Sequence, residues 1–133
     1  MTTKTTDSPS KHVVNWFEIP VRDLAKSAAM YGAMLDRKLE LTEFGGVPHA
    51  VFTAGNKDAV RGALISDPKR APSGNGTVIY LDAPDGLARC LARAVEAGAK
   101  VVLPVMAIDP NGSIALIEDL DGNVIGLHEA PAR

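Results

Sequence analysis

An internal repeat constrains the fold of this chain more than any other feature of its sequence. Three pairs of positions share one offset of 62 residues: Trp16 and Val78, Asp23 and Asp85, and Leu64 and Gly126. The pairs fall in a strand-like run, at the start of a helical pattern and near the end of each half. Because the offset is too long for a solenoid repeat and occurs only twice, it predicts two fused units that pack against each other.

The first half predicts one helix among four strands. The β-branched and aromatic run Val13–Val21 indicates a strand, and Asp23 is a suitable N-cap for a helix over Leu24–Leu35, where apolar residues recur every three or four positions. An alternating strand then ends at the glycine pair of a hairpin turn, Gly45-Gly46. The remaining predicted ranges are 39–44, 50–53 and 63–65 for strands and 68–75 for a linker rich in Pro and Gly.

The second half repeats this order. A strand over 77–81 precedes a helix that opens at Asp85 and stops at Gly98, and three strands follow at 100–105, 113–117 and 124–128. The sequence therefore predicts an α+β fold of two tandem βαβββ units, 12–67 and 76–129, in a single domain. Each unit covers one sheet face with its helix, and the two uncovered faces are expected to form a cleft for a small ligand.

Composition narrows the class of protein without indicating a chemistry. The chain has 133 residues and a net charge of −2, so no basic excess favours nucleic acid or an anionic membrane as a partner. Its single cysteine, Cys90, cannot form an internal disulfide and is expected to be a packed, inert thiol, which suits the reducing cytoplasm. Residues 1–11 are polar, lack the apolar run of a signal peptide and are predicted to be a disordered tail.

Two motifs resemble those of a known superfamily. The run Asn15–Leu24 followed by Tyr31-Gly32, and the closing run Ile114–His128 with its Asp-x-Asp-Gly-Asn turn, are similar to the two ends of vicinal oxygen chelate proteins. That superfamily includes glyoxalase I, bleomycin-resistance proteins and extradiol dioxygenases. The small glyoxalase-related, bleomycin-resistance-like proteins are the most similar branch. The resemblance implies the paired βαβββ fold and a homodimer, but it does not fix an activity.

The resemblance also implies where a metal would lie. In metal-using members, His, Glu or Gln side chains from the first and last strands of both units hold a divalent ion. The matching positions here are Trp16, Leu64, Val78 and Gly126, and none of these side chains can donate a lone pair to a cation. A shift of one residue would read Asn15, Ile65, Thr77 or Ile125, which still supplies no set of three ligands. We therefore expect no metal cofactor.

Strand alternation extends the predicted cleft to polar neighbours. Residues two positions apart share a face, so Trp16 brings Glu18, Val78 brings Tyr80, and Gly126 brings His128. The expected ligand-binding set is Trp16, Glu18, Leu64, Val78, Tyr80, Gly126 and His128. Gly126 is expected to leave room for a ligand ring. This mixture suits a small organic molecule with an apolar body and one or two polar groups.

Alternative interpretations remain for the same residues. Trp16 and Tyr80 could be core aromatics of a closed cleft, and Glu18 could form a structural pair with His128 or an arginine. If the protein is an enzyme, Glu18 and His128 are the candidate catalytic groups for proton transfer in a glyoxalase-related lyase. A dioxygenase-like enzyme with an unrecognised divalent metal is a further alternative. The sequence does not decide between a binding protein and an enzyme.

Overall fold

A computed structural model describes residues 12–132 as two helices and eight strands. In chain order these are β1 (Trp16–Pro20), α1 (Leu24–Leu35), β2 (Leu39–Phe44), β3 (Val47–Phe52), β4 (Arg61–Ile65), β5 (Tyr80–Asp82), α2 (Leu87–Glu96), β6 (Lys100–Ala107), β7 (Ser113–Glu118) and β8 (Val124–Glu129). The tail predicted for residues 1–11 lies outside the described residues. Within the described part, no helix is long and apolar enough to cross a membrane.

The strands form two four-stranded sheets with the same topology. Their orders are β1-β4-β3-β2 and β5-β8-β7-β6. In each sheet the first strand pairs in parallel with the last, and the other pairs are antiparallel. The predicted α+β fold of two tandem βαβββ units is confirmed.

The first helix begins and ends as its sequence predicts. The carboxylate of Asp23 accepts a hydrogen bond from the Lys26 amide at 3.1 Å, and so caps one of the free N–H groups of the first turn. The helix ends at Asp36, whose φ of 51° places it in the left-handed region. Between these ends, α1 buries Met30, Tyr31 and Met34 against the sheet, so tertiary packing stabilises the helix.

The prediction that Asp85 opens the second helix is wrong. The N-cap of α2 is Gly86, with a φ of 100° that favours glycine, and the Leu87 amide donates instead to the Glu129 carboxylate at 2.8 Å. Asp85 accepts two hydrogen bonds from the Arg93 guanidinium, at 2.7 and 2.9 Å. These bonds lower the pKa of the Asp85 carboxyl below its ordinary value. The aspartate therefore holds an arginine rather than a helix end.

That arginine belongs to the contact between the helices of the two units. The Arg93 Nε–H donates to the carbonyl oxygens of Ala33 and Met34 at 3.0 and 3.1 Å, in the last turn of α1, where carbonyls lack partners within the helix. The thiol of Cys90 also donates to the Met34 carbonyl, at 3.3 Å. Cys90 is fully buried, as the sequence predicts for a packed thiol.

A second contact between the units centres on the turn Asp119–Asn123, here called the 119–123 turn. The buried Asp119 carboxylate accepts hydrogen bonds from the Tyr31 hydroxyl of α1 at 2.6 Å and from the Asn123 side chain at 2.8 Å. The Asn123 amide group also donates to the Pro20 carbonyl at 2.8 Å. The Asp-x-Asp-Gly-Asn motif therefore forms a hairpin turn that joins the second unit to the first.

The buried Cys90 thiol and Tyr31 hydroxyl at these contacts predict a loss of stability at alkaline pH. Burial raises the pKa of the Cys90 thiol from 9.0 to about 11, while burial and the neighbouring Asp119 carboxylate raise the pKa of Tyr31 well above 10.0. The folded state therefore retains protons that the unfolded chain releases. We expect the free energy of unfolding to be undiminished below pH 9.0 and to fall as the pH rises toward 11.

Urea unfolding at a series of pH values measures this effect. The matched variant Cys90→Ala should reduce the decline over this pH range, because it removes one of the two titrating groups. A decline that is identical in Cys90→Ala and the unmodified protein would contradict the assignment to this thiol.

Candidate ligand-binding site

Strand register separates the sheet of the first unit into two faces. Ile19 of β1 lies opposite Leu64 of β4, and both are buried in the core beneath α1. Trp16 lies opposite Arg61 and Glu18 opposite Ala63, so these four residues belong to the other face, here called the open face. The prediction that Leu64 lines the cleft is wrong, since the side chain is fully buried on the helix side.

The second unit places Tyr80, Gly126 and His128 on the corresponding face of its sheet. Tyr80 of β5 lies opposite Gly126 of β8, and Asp82 lies opposite His128, whereas Leu127 between them is buried in the core. Val78 lies before β5, because the strand predicted over 77–81 begins only at Tyr80. Glu18 pairs with Ala63, and Tyr80 pairs with Gly126, so Ala63 rather than Leu64 is the counterpart of Gly126.

The offset between the units is 63 rather than 62 residues both at the helix N-caps and between β4 and β8, which accounts for this mismatch and for the failure of Asp85 as a cap. The first strands of the units are related by 62 residues, from Glu18 to Tyr80, but the N-caps Asp23 and Gly86 differ by 63. One extra residue of the second unit therefore lies in the connection between β5 and α2. Ala63 of β4 and its counterpart Gly126 of β8 also differ by 63 residues.

A cavity of about 880 Å³ lies between the two units of the single chain. In the first unit the lining comes from β1, from the start of β4 and from the ends of α1 and β3, and in the second unit it comes from β5 with the segment before it. Trp16, Glu18, Val78 and Tyr80 line it, as the sequence predicts for the cleft, and Arg61 lines it as well. A cavity of this size accommodates a small organic molecule.

Glu18 has partners that differ from those predicted. The indole Nε1–H of Trp16 donates to Glu18 Oε2 at 3.1 Å, and His49 Nε2 of β3 lies 3.7 Å from the same oxygen. His49 Nδ1 lies 2.8 Å from the Val47 carbonyl, which fixes the orientation of the ring. The Phe44 ring packs against the imidazole edge-to-face, with centroids 4.8 Å apart. The predicted pairing of Glu18 with His128 or an arginine is therefore wrong.

His128 and Gly126 do not join the cavity lining that the structure describes. His128 Nε2 lies 2.7 Å from the Asn111 carbonyl oxygen in the turn before β7. The Tyr80 ring lies directly over Gly126, where a side chain would overlap the ring carbons. The space left by the missing side chain of Gly126 thus holds Tyr80 itself, rather than the ligand ring that the sequence analysis expected.

Arg61 is the functional candidate that the sequence analysis missed. Its Nε is buried and has no hydrogen-bond partner among the described residues. An unsatisfied buried donor costs about 1–3 kcal/mol, and more when the group is charged. Arg61 lies beside Trp16 because β1 and β4 pair in parallel. The sequence of neither strand by itself predicts the register of that pair.

The donor set of the open face does not fit a metal ion. The positions that hold metal in the resembled proteins are occupied by Trp16, Ala63, Val78 and Gly126, which offer no coordinating atom. Between residues 12 and 132, no group of three or more His, Cys, Asp or Glu side chains could hold a metal ion. Glu18 and His49 are potential ligands, but they are only two and they contact each other.

The family model for the Glyoxalase/Bleomycin resistance protein/Dioxygenase superfamily matches residues 13–127. The chain belongs to this superfamily. The match extends over both units and includes the cavity lining apart from His12, and it confirms the resemblance found from the terminal motifs. None of the curated proteins is significantly similar to the chain in sequence.

Several solved structures share the fold. TnmS3, an antibiotic binding protein from Streptomyces sp. CB03234, is 24% identical, with a TM-score of 0.65 over 92% of this chain and 99% of that one. A glyoxalase/bleomycin resistance protein from the same Streptomyces strain is 27% identical, with a TM-score of 0.59 over 85% and 96%. One from Albidiferax ferrireducens T118 is 20% identical, with a TM-score of 0.71 over 90% and 100%.

Proposed function

We propose that this superfamily member binds a small organic molecule with an apolar body, without a metal ion and without making or breaking bonds in it. The observation that carries the proposal is the cavity between the units, which Trp16 and Tyr80 line from opposite sides and whose metal positions offer no ligands. Aromatic walls contribute binding energy through buried area and ring stacking.

One of the neighbouring structures supports a binding role. TnmS3 has the same fold and is described as an antibiotic binding protein. A protein that sequesters a molecule needs shape and apolar contact but no acid–base group of matched pKa. An aromatic antibiotic or a similar polycyclic compound is therefore the class of ligand that we propose.

Trp16 makes this proposal directly testable, because it is the only tryptophan in the chain. A panel of aromatic antibiotics and polycyclic compounds should include ligands that quench or shift Trp16 fluorescence with saturable binding. Trp16→Ala should weaken such binding by about 10- to 100-fold, measured by calorimetry, because it removes one aromatic wall. Val95→Ala, at an exposed position of α2, is the matched control and should leave the affinity unchanged. Equal affinities in Trp16→Ala and Val95→Ala would contradict the proposal.

A glyoxalase-related lyase is the second candidate function, and one contact favours it. Glu18 lines the cavity, and its Oε2 lies 3.7 Å from His49 Nε2. A carboxylate beside an imidazole can exchange a proton with a bound substrate. His128, the sequence-based candidate, is not part of this pair. If the protein is an enzyme, Glu18→Gln should abolish turnover and retain binding. If the protein only binds its ligand, no turnover is detected in either form and Glu18→Gln should retain binding.

We propose that the protein is a cytoplasmic homodimer with a single domain and a linker over residues 68–75. Exposed apolar side chains on the outer strands support an interface: Leu41 and Phe44 on β2, and Val102, Val105 and Met106 on β6. Sedimentation equilibrium should give twice the mass of the 14.0 kDa chain. The buried free thiol of Cys90 agrees with a reducing compartment.

A further inference from the structure

The cavity contains one cationic side chain that the described residues leave without an acceptor. Arg61 lines the cavity opposite Trp16 in the parallel ladder, and its buried Nε has no hydrogen-bond partner. No carboxylate in the described part of the chain forms an ion pair with it. A cationic side chain whose buried Nε–H lacks an acceptor favours an anionic partner in the cavity.

Three other arginines have acceptors within the chain. Arg37 also lines the cavity, but its guanidinium donates to the Thr53 carbonyl at 2.9 Å. Arg93 holds Asp85 through two hydrogen bonds, and Arg22 lies 3.5 Å from Asp121. Arg61 thus combines two properties: it lines the cavity, and its Nε–H has no acceptor among the described residues. This combination points to an acceptor supplied by a bound ligand.

We propose that the molecule bound in this cavity is an organic acid whose carboxylate accepts hydrogen bonds from the Arg61 guanidinium. This inference rests on the proposed binding function and adds the chemical class of the ligand. The planar guanidinium of arginine can donate two parallel hydrogen bonds to the two oxygens of a carboxylate. A neutral carbonyl or hydroxyl group offers only one oxygen and no charge. Trp16 lies directly beside Arg61, so the acid group is attached to, or close to, an aromatic or apolar body.

The other charges of the cavity determine how the acid is oriented. The carboxylates of Glu18 and Asp82 also line it and repel a second anion. Glu18 already accepts the Trp16 indole N–H and faces His49, so it needs no proton donor from the ligand. The acid therefore docks on Arg61, and the apolar body extends between Trp16 and Tyr80.

Matched pairs of acid and amide test this proposal. Benzoic, naphthoic and phenanthrene carboxylic acids and their carboxamides have nearly the same shape and differ in charge. Calorimetric titrations should show that the acid binds about tenfold or more tightly than its amide for the body that fits best. Arg61→Gln should abolish this preference and leave amide binding in place. Arg89→Gln, at an exposed position of α2, is the matched control and should retain the preference.

A second measurement on the unsubstituted protein removes any dependence on the folding of Arg61→Gln. The NMR signal of the Arg61 Nε–H should shift on addition of the best acid and stay in place on addition of its amide. Equal binding of acid and amide, or an unshifted Nε–H signal, would overturn the acid inference and leave the proposed binding function standing. If no aromatic compound, charged or neutral, binds at all, the proposed function fails with it.

Discussion

Replacing Asp119 with alanine is expected to lower the free energy of unfolding by about 3–5 kcal/mol. Its buried carboxylate accepts four hydrogen bonds: from the backbone amides of Asp121 and Asn123, the side chain of Asn123 and the hydroxyl of Tyr31. Alanine leaves all four donors without this acceptor. The Tyr31 hydroxyl is in the worst position, because its side chain is fully buried and water cannot replace the lost partner.

Urea unfolding measures this loss, and a neighbouring aspartate provides the control. Asp121 lies two residues away in the same turn, but it accepts a single side-chain hydrogen bond, from the Ser27 hydroxyl at 3.2 Å, besides an ion pair at 3.5 Å with Arg22, which is 68% exposed. Asp121→Ala should therefore cost less, about 1–2 kcal/mol. If the two alanine variants lose the same stability, the buried hydrogen bonds of Asp119 are not what joins the units.

A double-mutant cycle separates the contact between the units from the turn itself. Tyr31→Phe removes one donor and is expected to cost about 1.5–3 kcal/mol. Combined with Asp119→Ala it should add little, because the hydrogen bond is already absent. Additive losses would contradict direct coupling between Tyr31 and Asp119.

The sequence predicted the elements of this fold well because their signals are local. Helix periodicity and an N-cap carboxylate placed α1 at Leu24–Leu35, and the glycine pair placed the hairpin between β2 and β3. Each of these signals lies within a few neighbouring residues. The order of elements in both units followed, and with it the fold.

Positions that depend on pairing between distant strands were harder to predict. The offset of 62 residues holds for Trp16 and Val78 but fails after the extra residue before α2, so Leu64 was assigned to the wrong face. A slip of one residue moves every side chain of a strand to the opposite face. The same slip misplaced the cap at Asp85.

Partners of the site residues were not predictable from alternation alone. Glu18 was predicted to lie in the cleft, but its neighbour His49 comes from β3, which is not adjacent to β1 in the sheet order. Arg61 reaches the cavity because β4 inserts between β1 and β3. Such contacts depend on which strands pair, a property that no single segment of the sequence carries.

Gly62→Ala is the second substitution with a large expected effect, about 3 kcal/mol or more of lost stability. Gly62 of β4 is buried opposite Phe17 of β1, and a Cβ there would lie only 2.5 Å from the Phe17 carbonyl oxygen and ring carbons. A backbone oxygen cannot rotate away, so the two strands must separate. Since β1 carries Trp16 and Glu18, ligand binding should weaken as well.

Gly126→Ala is the matched control, because its nearest neighbours belong to the Tyr80 ring, which is 45% exposed and can turn toward solvent. We expect about 1 kcal/mol for that variant in urea unfolding. A larger loss in Gly126→Ala than in Gly62→Ala would show that the parallel pair of β1 and β4 tolerates the separation that this reasoning forbids.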